Sequence, residues 1–156
     1  MSTIIKKINK KKILLYIICL LPWFLSSILF KSDTAYYKSL NLPFIAPPSF
    51  VFPVAWTILY FLIAYSIYQV ITYSTSNYKI YLFINYLSNQ LFTYLFFTLK
   101  NNFLSLTDTI IVFISSLYLY VETNTLNQKA SKYIIFYIIW NLYALILIGS
   151  IYFLNH

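Results

Sequence analysis

Few side chains in this chain of 156 residues could do acid–base, nucleophilic or metal chemistry, and their positions narrow the choice further. The one histidine, His156, is the last residue, and the one cysteine, Cys19, lies inside an apolar run. No Ser-His-Asp or Cys-His set can be assembled from them. No two nitrogen or sulfur ligands stand at a recognised metal spacing, so neither a metal nor any other cofactor is expected. A single glycine, Gly149, rules out a Gly-rich phosphate loop and a GxxxG dimer motif. The acids are Asp33, Asp108 and Glu122. Asp108 admits two readings: an acid favoured near a helix N-terminus, or an intramembrane acid facing a cavity. What remains is aromatic. Trp56 and Tyr60 are four residues apart and share one aromatic helix face, which could also serve only as the entry to a helix.

The elements that position these residues follow from composition. Hydrophobic residues make up 61% of the chain and charged residues 9%, against about 25% charged in a soluble domain. So few charges cannot cover a water-facing surface, whereas lipid needs none. A membrane helix needs about 20 mostly apolar residues. Five segments qualify, at about 13–30, 50–73, 78–99, 103–121 and 133–154, which predicts an all-α bundle of five transmembrane helices forming a single domain. The connectors are then Lys31–Ser49, Ser74–Asn77, Lys100–Asn102 and Glu122–Lys132. The first apolar run is long for a signal-peptide core, and no A-x-A pattern follows it, so it reads as a retained helix.

All 11 basic residues are lysine. Without arginine the bidentate fork for phosphates and base edges is missing, and nucleic acid is not expected as a partner. Lys6, Lys7, Lys10, Lys11 and Lys12 precede the first span. Together with Lys79, Lys129 and Lys132 they place eight lysines on one side, against Lys31, Lys38 and Lys100 on the other. The excess predicts a cytoplasmic N-terminus and an outward-facing loop 31–49 in a cell membrane. The 17 tyrosines have two explanations: a codon bias that also favours Lys, Ile, Asn and Phe, or mid-span hydroxyls such as those of Tyr65, Tyr94 and Tyr143 lining an internal cavity. Cys19 reads as a small buried apolar residue. Trp23 reads as an interfacial anchor.

The most informative stretch is Tyr36–Tyr60, YYKSLNLPFIAPPSFVFPVAWTILY. Pro47 and Pro48 hold the chain extended before the second span, and Pro53 falls in that span's first turn, where a missing N–H costs nothing. This stretch resembles the TspO/MBR family (translocator protein, tryptophan-rich sensory protein or peripheral-type benzodiazepine receptor family), as found in bacteria. That family's hallmark is close to W-Y-x-x-L-x-K-P-x-W-x-P-P followed by W-T-x-L-Y. Tyr37, Leu40, Pro43, Pro47, Pro48, Trp56, Thr57, Leu59 and Tyr60 match it, with Tyr36, Leu42 and Ile45 as departures. In the third span Asn89, Phe96 and Phe97 match, Asn85 stands for a Gln, and Phe92 replaces a Trp. Asp108 falls where the family opens its fourth helix with an acid. In the fifth, Tyr137, Trp140, Ala144 and Leu147 match, while Phe136, Tyr143 and Ile148 stand for Pro, Phe and Asn.

The resemblance implies a five-helix bundle, often a homodimer, that binds porphyrins such as protoporphyrin IX beneath its first loop. In some members cholesterol and benzodiazepine-type ligands bind too. The fifth-helix end here offers only His156 as a basic residue, so sterol binding is not expected. Carried over by position, the implied pocket residues are Tyr37, Trp56, Asn89, Phe92 and Trp140, with Pro47, Tyr60 and Tyr143 beside them. Some bacterial members are reported to degrade protoporphyrin in light and oxygen. Trp56 and Trp140 would be the catalytic residues of such a reaction, since indole is the most oxidisable aromatic present. Lys38 or Lys31 would pair with porphyrin propionates near the outer interface.

Overall fold

A computed structural model describes residues 10–156 of the chain; Lys6 and Lys7, which entered the orientation argument, lie outside the described residues. The first span is α1 (Lys10–Leu20), a 3₁₀ turn (Leu21–Phe24) and α2 (Leu25–Leu29). The short α3 (Thr34–Ser39) lies in the following loop. Then come α4 (Val51–Val70, extended by a 3₁₀ turn at Ile71–Tyr73), α5 (Ser76–Thr93, continued by a π turn at Tyr94–Thr98), α6 (Asn102–Leu126) and α7 (Gln128–Leu154). The long helices form a closed ring. α1 packs on α4, α4 on α7, α7 on α6, α6 on α5, and α5 returns to α2.

The fold is apolar outside, as lipid requires, and mixes a hydrophobic core with buried polar side chains within. Ile28, Phe83 and Ile139 are each at least 60% exposed, while Asn85, Asn89, Gln90, Asp108 and Asn141 are buried. Among the described residues, four spans are long and apolar enough to cross a membrane: Lys10–Leu29, Val51–Tyr73, Asn102–Leu126 and Gln128–Leu154. The remaining long helix, α5 with its π turn, is less apolar because it carries the interior's Asn85, Ser88, Asn89 and Gln90. Its outward face is Ile80, Phe83, Ile84, Leu87 and Leu91. The chain is thus an all-α, multi-pass membrane bundle.

Three sequence expectations need correction. The first span is not one continuous helix. Pro22 has no N–H to donate, and the backbone tightens into the 3₁₀ turn at that point. Non-helical backbone inside a membrane must find partners in the protein. Here α5 supplies them: the Ser26 N–H donates to Gln90 Oε1 at 2.7 Å, Gln90 Nε2 donates to the Trp23 carbonyl at 3.4 Å, and the Tyr86 hydroxyl donates to the Pro22 carbonyl at 3.1 Å. Trp23 is not an interfacial anchor. It is 2% exposed and packs edge-on against Tyr86 and Tyr137. The expected connector Glu122–Lys132 is almost all helix, reduced to Asn127, whose side chain accepts from the Lys129 and Ala130 N–H groups and starts α7.

Helix starts elsewhere use the same device. Thr75 caps α5 by accepting from the Tyr78 N–H, and Asn101 caps α6 by accepting from Leu104. The tight turn into α6 places Lys100 at φ 53, the left-handed region that strains a residue with a side chain.

Candidate ligand cavity

The loop between α2 and α4 is a fastened lid. Asp33 caps α3 by accepting from the Tyr36 N–H at 2.9 Å, and its carboxylate lies 3.1 Å from Lys100 Nζ at the α5–α6 turn. That N–H first, and the lysine second, hold the Asp33 carboxyl below the usual carboxylate range. The Tyr36 hydroxyl reaches Asn102 Oδ1 at 3.1 Å, and Lys100 sits over the Tyr36 ring. At the other side, Asn155 at the end of α7 accepts from the Asn41 N–H at 2.8 Å and donates to the Asn41 carbonyl at 3.0 Å. Between these points the Tyr37 hydroxyl donates to the Pro47 carbonyl at 3.0 Å, and the Tyr143 hydroxyl to the Ile45 carbonyl at 2.9 Å. Burial pushes the Tyr37 phenol up to about 12, so it remains a neutral donor.

Beneath the lid is a cavity of about 480 Å³. Its upper wall includes Thr34, Tyr37 and Phe50, and its sides include Trp56, Tyr60, Phe92, Phe96 and Trp140. Aromatic rings dominate and touch one another. Trp56 and Trp140 meet edge-to-face at 6.3 Å between centroids, Trp56 and Tyr60 tilt together at 5.6 Å, and Phe92 stacks on Phe96 at 5.5 Å. Such faces suit a planar, polarizable ligand.

The deep end is polar and ordered. The Tyr60 hydroxyl donates to Asn89 Oδ1 at 3.1 Å, Asn89 Nδ2 donates to the Tyr137 hydroxyl at 3.2 Å, and Tyr137 donates to Asn85 Oδ1 at 2.9 Å. Asn85 Nδ2 ends the relay on the Val112 carbonyl and Ser115 Oγ. Four helices are joined by this run, and it fixes the faces that Tyr60 and Asn89 turn to the cavity.

The chain that builds this lidded aromatic cavity is similar in sequence to known proteins. The TspO/MBR family model matches residues 7–154. This chain belongs to the TspO/MBR family. It is also 30% identical over 150 residues to the Tryptophan-rich protein TspO of Bacillus cereus, covering 94% of this chain and 98% of that one.

Of the family's pocket positions, the structure brings Tyr37, Trp56, Tyr60, Asn89, Phe92 and Trp140 to the cavity wall. Pro47 and Tyr143 do not line it. Pro47 supports it through its carbonyl, which holds Tyr37. Tyr143 leans on Trp140 at 5.2 Å and faces a second, lipid-side groove between α4 and α7, where Trp140 forms part of both walls. Asp108 is buried in the second turn of α6 beside Ser88 of α5; the helix start is already capped by Asn101, and the neighbouring Thr109 is the residue that reaches the cavity.

Sequence reading missed Gln90, Tyr137 as a hydrogen-bonding hub, and Asn141. Gln90 and Asn141 each had a signal: an amide in mid-span, directly after the motif residue Asn89 or Trp140, is costly in lipid and points to the bundle interior.

Proposed function

We propose that the cavity binds a flat lipophilic tetrapyrrole, with protoporphyrin IX as reference, and that the protein serves tetrapyrrole sensing, transport or disposal in a membrane. The observation that carries this reading is the aromatic wall, above all Trp56 and Trp140 in edge-to-face contact beside Tyr60. A planar macrocycle gains stacking on such faces and loses little hydration on leaving lipid. About 480 Å³ lies within the usual range of small-molecule sites, roughly 300–1,000 Å³. Lys31 and Lys38, both exposed on the lid, are the partners for propionates held at the interface. In this reading the lid faces outward and the N-terminus is cytoplasmic, in keeping with the lysine excess.

The Trp56–Trp140 contact also favours a second reading, light- and oxygen-dependent breakdown of protoporphyrin IX with these indoles taking part. One experiment separates the two. The purified protein is illuminated with protoporphyrin IX in air, beside Trp56→Phe and Trp140→Phe. Binding without a new absorbing product is expected of a carrier or sensor. A product formed by the wild type and absent from both variants makes it an enzyme. If no spectral change accompanies mixing, neither reading stands.

A further inference from the structure

Asn141 follows Trp140 on α7, lines the cavity and is 1% exposed, and although the Tyr137 hydroxyl one turn earlier lies beside it, neither its Oδ1 nor its Nδ2 completes a hydrogen bond. The Trp140 indole Nε1 is buried without a partner as well. The contrast with Asn85 and Asn89 across the cavity is sharp, since both of those amides are engaged on their oxygen and nitrogen. A buried amide with nothing to bond is less stable than a leucine of similar size. A group that arrives with a ligand would supply the missing partners. The position is informative too. Where the family pattern carries an amide, this chain has Ile148, also on the cavity wall. Asn141 stands seven residues earlier on the same helix face, about 10 Å deeper at 1.5 Å per residue.

We infer that Asn141, with the Trp140 N–H beside it, is a polar subsite that selects flat lipophiles carrying an adjacent N–H and C=O on one edge, as a lactam does. A carboxamide presents one donor and one acceptor on a single edge, and a lactam presents the complementary pair, so two hydrogen bonds form together. A ligand lacking that edge leaves the amide unpaired and is disfavoured. The inference rests on the proposal that the cavity is a ligand site, and refines which lipophiles the site prefers.

The test uses two probes, phenanthridin-6(5H)-one and its N-methyl derivative, which differ in the lactam N–H. Each is titrated into the full-length protein in detergent and followed by tryptophan fluorescence. The wild type should bind the lactam at least about tenfold more tightly than the N-methyl form, as the loss of one buried hydrogen bond implies. In Asn141→Leu the ratio should fall to near one, and that variant should melt no lower than the wild type without ligand, because it removes an unpaired amide. Equal binding of the two probes by the wild type, or an undiminished ratio in Asn141→Leu, overturns the subsite. So does a large fall in ligand-free melting temperature, which would mark Asn141 as structural. If the probes fail while protoporphyrin IX binds, only the subsite falls; if protoporphyrin IX fails as well, the cavity reading falls with it.

Discussion

The Tyr60 hydroxyl donates to Asn89 Oδ1 at 3.1 Å, joining α4 to α5 under the cavity floor. Asn89 in turn donates to Tyr137 on α7, so one amide ties three helices together. Interhelical hydrogen bonds in membranes average about 0.6 kcal/mol and reach about 1.7. Tyr60→Phe should therefore lower stability by about 0.6 kcal/mol. Asn89→Leu, which breaks both bonds, should lower it by about 1–2 kcal/mol. Denaturation in mixed micelles measures both, and equal losses would mean that the network does not pass through Asn89.

Gln90 should matter more than its surface chemistry suggests, because it serves backbone rather than side chains. Replacing it with leucine removes the acceptor for the Ser26 N–H and the donor to the Trp23 carbonyl in the broken first span. Unsatisfied backbone groups in lipid cost several kcal/mol each, so Gln90→Leu should destabilise by about 2 kcal/mol or more. Hydrogen exchange at the Ser26 amide should accelerate in that variant, while Tyr86→Phe, which removes only the bond to the Pro22 carbonyl, should be milder.

The lid should respond to acid. Asp33 has its carboxyl held below the ordinary range by the Tyr36 N–H and by Lys100, so its contribution is fully present above the ordinary Asp pKa. That contribution is lost only as pH falls through the lower folded value. Protease protection of residues 31–49 should thus persist at about pH 3.9, where an ordinary Asp is half protonated, and decline below it. Asp33→Asn should weaken protection at neutral pH and abolish this acid dependence.

At the opposite edge of the lid, Asn155 makes two hydrogen bonds to the Asn41 backbone. Asn155→Ala should leave the bundle's melting temperature nearly unchanged, since the contact is exposed. Hydrogen exchange of the Asn41 amide should rise, and the ligand off-rate with it, if the lid must stay closed over the occupant.

The spans were legible because their apolar runs are long and their polar breaks short. Local rules also located the lid, since Pro43, Pro47 and Pro48 exclude helix there until α4 begins, and Pro53 is tolerated in the first turn of α4. The break at Leu21–Phe24 was not legible. Pro22 was visible, but its tolerance depends on Gln90 and Tyr86, more than 60 residues away. The α6–α7 junction was misread because Glu122, Asn124, Asn127, Gln128 and Lys129 look like a loop. In the fold most of them sit on the facing ends of α6 and α7, where polarity is no obstacle to helix. Trp23 was misassigned for a related reason: its three aromatic partners, Tyr60, Tyr86 and Tyr137, come from three different helices.

The central claim is that the aromatic cavity itself is the binding site, and filling it tests this most directly. Ala144 lies on the cavity wall, where a phenylalanine would occupy ligand space. Protoporphyrin IX is titrated in the dark into the wild type and Ala144→Phe, matched for helicity, and the porphyrin absorption band is followed. A saturable shift in the wild type, weakened at least about tenfold in Ala144→Phe, is the predicted result. Equal affinity in the two proteins, or no saturable shift in the wild type, would contradict the account.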